Sequence, residues 1–217
     1  MESQGAAANR RPLKSRSTGW AAAAARLALR TGISADGISV LGVAVSLLGA
    51  AALATHFAAP WHFLIGAAAV QLRLLCNMLD GMVAVEGGRK SVYGPLFNEL
   101  PDRAEDSLLL VAAGYAADPA LGLILGLTAA LLAAVCAYVR LLGGTLGQPQ
   151  DFVGPQAKPH RMFVLTVGLV AALADNLVTG NTDGRMVMLA LGVIIAGTLH
   201  TIVRRTLRIA RRLREAR

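Results

Sequence analysis

Six stretches of about twenty mostly apolar residues follow one another along this chain of 217 residues, and only short connections separate them. They cover residues 33–55, 61–84, 94–115, 119–143, 161–179 and 184–203. Hydrophobic residues make up 55% of the chain and charged residues 16%, so the chain is more apolar and less charged than most soluble domains. We therefore predict an all-α membrane protein in which six transmembrane helices form one domain.

The two ends of the chain differ from this apolar middle. A basic tail at 1–17 precedes a segment at 18–31 that carries Trp20 and two leucines beside two arginines. That pattern is typical of an amphipathic helix lying on a membrane surface. A basic extension at 204–217 follows the transmembrane domain at 32–203, and its arginines indicate contact with anionic lipids.

The positive charges lie on alternate connections between the predicted spans. Lysines and arginines are concentrated at both chain ends, in the connection after the second span and in the connection around Lys158, whereas the other three connections share only Arg185. The positive-inside rule therefore places both termini on the cytosolic side of the membrane. Because topology and membrane lipids explain the net charge of +8, no nucleic-acid partner is expected.

One run of polar and acidic residues, from Asn77 to Asp102, interrupts the apolar pattern. Ionisable groups within membrane spans are costly, so their default interpretation is functional. At about 3.6 residues per turn, one narrow face of the second span carries Asn77, Asp80, Gly81 and Ala84. One face of the third span carries Asn98, Glu99, Asp102, Glu105 and Asp106.

Carboxylates packed together at membrane depth repel one another unless a cation lies between them. Oxygen ligands alone suit a hard divalent ion, so we predict Mg²⁺ or Mn²⁺, with one or two ions bound. No histidine or cysteine pair has the spacing of a zinc site, so zinc is not expected. The cation would lie at the cytosolic end of the second and third spans.

This run resembles the signature of the CDP-alcohol phosphatidyltransferases, which reads DxxDGxxAR, eight residues, then GxxxDxxxD. The spacing fits throughout: Asn77 stands at the first Asp, Asp80 at the second, Gly81 and Ala84 match, Val85 replaces the Arg, Gly94 matches, Asn98 replaces the third Asp, and Asp102 matches the fourth. A weaker resemblance covers AYVR at 137–140 and KPHR at 158–161.

The resemblance implies transfer of a phosphatidyl group from a CDP-linked lipid, CDP-diacylglycerol, to an alcohol acceptor with release of CMP. It implies that Asp102 is the catalytic base. It also assigns the metal to Asn77, Asp80, Asn98 and Asp102, and nucleotide or phosphate contacts to Gly81, Ala84, Arg89, Ser91 and Gly94. Membership of the family further implies a homodimer.

The departures from the signature remove charge from the predicted site. Two Asn in place of Asp remove two negative charges, and an amide oxygen binds a metal less strongly than a carboxylate. Glu99, Glu105 and Asp106 share the polar face and are further candidate ligands. With Val85 at the Arg position, Arg89, Lys90 or Arg73 would supply the phosphate contact instead.

Several alternatives stay open at this stage. Arg73 forms either a structural ion pair with Glu105 or Asp106 or a contact to a lipid phosphate. The basic residues Arg140, Lys158 and Arg161 either bind the acceptor or a phosphate or set the topology. The acceptor itself is open among glycerol phosphate, inositol phosphate, serine and lipid alcohols, and the basic residues favour a phosphorylated one. Rival functions are a catalytically altered or inactive relative that binds lipid or nucleotide and a small transporter.

Overall fold

The computed structural model describes residues 18–55, 60–86 and 93–216, and within them the chain forms seven helices and no strand. They are α1 Gly19–Thr31, α2 Ala35–Ala54, α3 Trp61–Glu86, α4 Gly94–Ala117, α5 Leu121–Thr145, α6 Lys158–Thr179 and α7 Arg185–Glu215. The all-α prediction is confirmed for these residues. The predicted basic tail at 1–17 lies outside the described residues.

Five helices are long and apolar enough to cross a membrane: α2, α3, α5, α6 and α7. The predicted third span is also present as a helix, α4, but it does not meet the same criterion of length and composition. Five charged side chains lie within eight residues of this helix, at Glu99, Asp102, Arg103, Glu105 and Asp106. The chain is therefore a multi-pass membrane protein with five apolar helices and a sixth, more polar helix packed among them.

The helices pack as a bundle around α4. Helix α2 packs on α3 and α4, α5 packs on α4 and α7, and α6 packs on α3 and α7. The core includes fully buried leucines of four helices: Leu53 of α2, Leu109 and Leu110 of α4, Leu165 and Leu169 of α6, and Leu191 of α7. Many large apolar side chains on the outer faces are exposed instead, as expected where lipid replaces water.

Close contact between α4 and α5 depends on glycine. A Cβ atom at Gly114 would overlap the carbonyl oxygen of Gly122, so only glycine allows the two backbones to approach this closely. The turn between the helices is held by Asp118, whose Oδ1 accepts hydrogen bonds from the amides of Ala120 (2.9 Å) and Leu121 (2.6 Å). These bonds favour the ionised carboxylate and hold the pKa of Asp118 below its ordinary value.

Helix α1 is attached to the bundle through small residues. Ala21 and Ala25 are fully buried and pack with Met78 and Met82 of α3, whereas Trp20 is more than half exposed. At the other end of the chain, α7 continues to Glu215, so the predicted extension at 204–217 begins within this helix.

The last turns of α7 also anchor the connection between α5 and α6. Arg205 donates from Nε to the carbonyl oxygen of Val153 (3.0 Å), and Arg208 pairs with Asp151 (3.0 Å). These contacts fix the connection just before Lys158, the residue at which α6 begins.

Candidate functional site

The predicted site residues come from the same end of the bundle. Asn77 and Asp80 lie near the end of α3, and Asp102, Glu105 and Asp106 lie in the first half of α4. The four carboxylates are all buried, with 1–8% of their surface exposed. Because ionised groups are costly to bury, each needs a partner of opposite charge or a hydrogen-bond donor.

Arg73 of α3 is the central cation of this cluster. It is fully buried, and its Nε donates to Glu105 Oε2 at 2.6 Å, while its Nη2 pairs with Asp106 and donates to the carbonyl oxygen of Asp102 at 3.1 Å. The sequence left Glu105 and Asp106 as alternative partners, and Arg73 contacts both. Gly42 of α2 makes room for this arrangement, because a Cβ there would lie 2.7 Å from Glu105 Oε1.

A second cation, the ammonium of Lys158, reaches the cluster from α6. Its Nζ donates to Asn77 Oδ1 at 3.0 Å and forms an ion pair with Asp102 Oδ1. Asn77 in turn donates from its Nδ2 to the same Asp102 oxygen. The residues that match the first and fourth signature positions therefore share one cation, and that cation is a side chain of this protein.

Asp80 lies beside Asn77, Asp102 and Lys158, but it is held by a different hydrogen bond. It is 7% exposed, and its Oδ2 accepts a hydrogen bond of 2.9 Å from the hydroxyl of Ser39 on α2. No ion pair of Asp80 is found among the described residues. A carboxylate that is held by a neutral donor keeps capacity for a further cation.

Glu99 lies apart from the cluster, although the helical period places it near the same face. It pairs with Arg140 of α5 at 2.6 Å and lies 3.8 Å from Arg103. Arg140 also donates to Gln150 Oε1 at 3.0 Å, and its guanidinium lies 5.4 Å from the centre of the Phe152 ring. Glu99 therefore positions Arg140 at the rim of the site and contributes no oxygen to the buried cluster.

Arg161 points into the protein interior. It is 2% exposed, and it donates to the carbonyl oxygen of Gln156 at 2.8 Å and to Asp106 Oδ2 at 3.4 Å. This geometry favours a role in neutralising Asp106 over direct contact with an acceptor. Among the three predicted acceptor contacts, Lys158 and Arg140 are the more exposed, each with 14% of the side chain accessible.

The remaining predicted contacts fall on the helices or outside the described part. Gly81 and Ala84 lie on the last turns of α3, and Gly94 is the first residue of α4. Arg89 and Ser91 lie outside the described residues, and so does the side chain of Asn98.

Three residues of the site were missed by the sequence analysis: Ser39, Gly42 and Arg103. Ser39 and Gly42 are three residues apart on α2, which was predicted only as an apolar span. A serine and a glycine on one face of such a span are the signal that could have found them. Arg103 directly follows Asp102 and pairs with its Oδ2 at 3.1 Å.

The donor atoms of the cluster have the chemistry that a hard divalent cation requires. Within the described residues, no group of three His, Cys, Asp or Glu side chains converges as a metal site would. The amide oxygen of Asn77 and a carboxylate oxygen of Asp102 nevertheless already bind one positive charge. Oxygens that hold an ammonium group also suit Mg²⁺ or Mn²⁺.

No protein-family model matches the chain. A phosphatidylinositol phosphate synthase of Streptomyces avermitilis is 27% identical over 194 residues, which cover 87% of this chain and 77% of the relative. The enzyme of the same name from Mycolicibacterium smegmatis is 26% identical over 155 residues, which cover 70% of this chain and 67% of the relative.

Solved structures show the same architecture. Crystal structures of a Mycobacterium tuberculosis phosphatidylinositol phosphate synthase match with TM-scores of 0.70, one in complex with manganese and citrate and one with CDP-DAG bound. Identity is 21% and 22%, over 87% of this chain and 88% and 92% of those chains. Together with the sequence relatives, they confirm the family resemblance that the signature predicted.

Proposed function

We propose that this chain works as a CDP-alcohol phosphatidyltransferase of phospholipid biosynthesis, the family that its signature resembles and to which its sequence relatives belong. It transfers the phosphatidyl group of CDP-diacylglycerol to an alcohol and releases CMP. The single observation that carries this proposal is the meeting of Asn77 of α3 and Asp102 of α4 on one cation at one end of the bundle. CDP-DAG is bound by the structural neighbour, which supports the same donor lipid here.

In this proposal Asp102 accepts the proton of the acceptor hydroxyl. The acceptor oxygen then forms a bond to the phosphorus attached to diacylglycerol, the bond from that phosphorus to the oxygen bridging to CMP breaks, and CMP leaves with the electron pair. The position of Asp102 is fixed by Arg103 at 3.1 Å and by Asn77. Such positioning accounts for most of the catalysis in phosphoryl-type transfer.

A divalent cation, Mg²⁺ or Mn²⁺, is the proposed cofactor, and manganese is present in the structural neighbour. Asn77, Asp80 and Asp102 would hold it, and Asn98 is the remaining signature position. When bound, the ion would neutralise charge on the diphosphate oxygens. Glu105 and Asp106 are occupied by Arg73, so we do not include them among the ligands.

For the acceptor we propose inositol phosphate. Both sequence relatives are named phosphatidylinositol phosphate synthases, a name that implies a phosphorylated inositol as the acceptor. Lys158 and Arg140 lie at the accessible edge of the site, where an anionic group would reach them. Charge-assisted hydrogen bonds from lysine and arginine are well suited to a phosphate.

The proposed membrane arrangement follows from charge and burial. We place α4 in the bilayer as a sixth span, because its charged half is neutralised within the bundle. The arginines of α7 and of the tail support a cytosolic position for both termini and the site. Helix α1 then lies on the membrane surface with Trp20 directed away from the bundle, membrane lipids contact its outer face, and a homodimer is expected by family resemblance.

The test is release of CMP from CDP-diacylglycerol by the purified protein in mixed micelles, with Mg²⁺ or Mn²⁺ and each candidate acceptor. We expect turnover with inositol phosphate, and a loss of about 10²- to 10⁴-fold in Asp102→Asn, the range for removal of a general base. Asp175→Asn is the matched control, because Asp175 pairs with Arg185 at the opposite end of α6.

The outcomes separate the rival functions. If no acceptor gives CMP release but CDP-diacylglycerol still binds, the protein is a lipid-binding relative and not an enzyme. A transporter is disfavoured already, because the acids cluster at one end of the bundle and do not line a path across it.

A further inference from the structure

The charged side chains of the cluster balance one another. Its four buried carboxylates are those of Asp80, Asp102, Glu105 and Asp106. Of its four cations, Arg73 and Arg161 are buried, whereas Lys158 and Arg103 have 14% and 24% of their side chains exposed. A divalent cation that entered this cluster would add two charges to a neutral, poorly solvated region. Unbalanced charge is costly there, so one of the resident cations must leave or an anion must enter.

Lys158 is the resident cation that is best placed to leave the oxygens of Asn77 and Asp102. Arg103 is more exposed, but it contacts the other oxygen of Asp102 and also donates to the main-chain carbonyl oxygen of Glu99. Arg73 and Arg161 are enclosed, with 0% and 2% of their side chains exposed, and each makes further hydrogen bonds to main-chain carbonyl oxygens. Lys158 is the first residue of α6, its side chain is 14% exposed, and its ammonium is held by side-chain oxygens alone. Its flexible four-carbon chain allows the ammonium to move without a change in the helix.

The oxygens that hold this ammonium are also those assigned to the metal. Lys158 Nζ contacts Oδ1 of Asn77 and Oδ1 of Asp102, the first and last positions of the signature. An ammonium and a divalent ion compete for the same oxygens when both approach from the same side. Binding of the metal and binding of the lysine at these two atoms therefore exclude each other.

We propose that Lys158 is a built-in counter-cation that a divalent ion must displace from Asn77 and Asp102. The displaced ammonium then becomes free to bind an anionic group, such as the phosphate of a substrate. Metal and anion therefore bind cooperatively, because each stabilises the state in which Lys158 has left the cluster. This inference rests on the metal site of the proposed function.

The experiment measures Mn²⁺ affinity directly, by the electron paramagnetic resonance signal of free Mn²⁺, on the full-length protein in detergent micelles. We expect Lys158→Met to bind Mn²⁺ at least about tenfold more tightly than the wild type, because a contacting positive charge has been removed. Lys158→Arg should stay close to the wild type. Arg185→Met, which removes a positive charge paired with Asp175 at the opposite end of α6, should also match the wild type.

The anion arm compares sodium sulfate with sodium chloride at equal ionic strength. Sulfate should strengthen Mn²⁺ binding in the wild type and leave Lys158→Met unchanged. Equal Mn²⁺ affinity in the wild type and Lys158→Met would overturn the inference and leave the proposed function standing. Absence of Mn²⁺ binding in both proteins would overturn the metal site itself. Lys158→Gln gives the same comparison if the methionine variant does not fold.

Discussion

Replacing Arg73 by methionine should destabilise the protein more than any surface substitution. Methionine matches most of the volume of the arginine chain but cannot pair with a carboxylate. In the wild type, Arg73 lies 2.6 Å from Glu105 and 3.5 Å from Asp102 and also pairs with Asp106, and none of these three acidic side chains is more than 11% exposed. The variant leaves these acids with less positive charge than negative charge in the same buried space.

The magnitude follows from this geometry. Removing one partner of a buried ion pair costs about 3–5 kcal/mol, because the other charge stays buried without compensation. Here the lost cation serves three acids, so we expect the upper part of that range. The matched control is Arg185→Met, since Arg185 is 48% exposed and forms a single pair with Asp175. An exposed pair contributes only about 0.2–1 kcal/mol.

The assay is reversible unfolding in detergent micelles, followed by circular dichroism against denaturant, for both variants and the wild type. Adding Glu105→Gln to Arg73→Met should recover part of the loss, because it removes one of the uncompensated carboxylates. The reasoning is refuted if the free energies of unfolding of Arg73→Met and Arg185→Met differ by less than about 1 kcal/mol. Such a small difference would mean that the cluster is hydrated or that its carboxylates are protonated.

Ser39→Ala removes the hydroxyl that donates to buried Asp80 and should cost about 1–3 kcal/mol in the same unfolding assay. Gly114→Ala should lower the melting temperature, because a Cβ there overlaps the facing backbone, whereas Gly192→Ala, with nothing within 4 Å, should be neutral or stabilising. The lowered pKa of Asp118 stabilises the fold above the ordinary aspartate pKa, and this contribution is lost as the pH falls through the lowered value. Asp118→Asn should therefore flatten the acid side of the stability profile, and an unchanged profile would rule this out.

The helices and the acidic face could be predicted because both follow from local periodicity. The apolar stretch predicted at 119–143 is the helix Leu121–Thr145, since the length of such a stretch is set by the thickness of a bilayer. The pairing of Arg73 with acidic residues of α4 could also be predicted from the sequence, because a buried arginine needs a carboxylate at its own depth.

The partners of Glu99 and Lys158 could not be obtained in this way. Helical periodicity indicates which residues share a face, but it does not show which other helix that face meets. Glu99 lies at the edge of the acidic face, close to Arg140 of the neighbouring helix α5. The ion pair with Arg140 therefore determines where the Glu99 side chain points. The side chain of Lys158 spans from α6 to α3 and α4, and this reach depends on how the connection before α6 is anchored.

The identity of residue 77 fits the presence of Lys158 in the cluster. Asn77 donates from Nδ2 to Asp102 and accepts from Lys158 at Oδ1, so its amide uses one donor and one acceptor at once. A carboxylate at this position has no donor and would bring a second negative charge against Asp102. Such an arrangement needs a cation of higher charge between the two acids, whereas asparagine needs only the ammonium. Asparagine at position 77 and the ammonium of Lys158 therefore fit one another in charge and in hydrogen bonding.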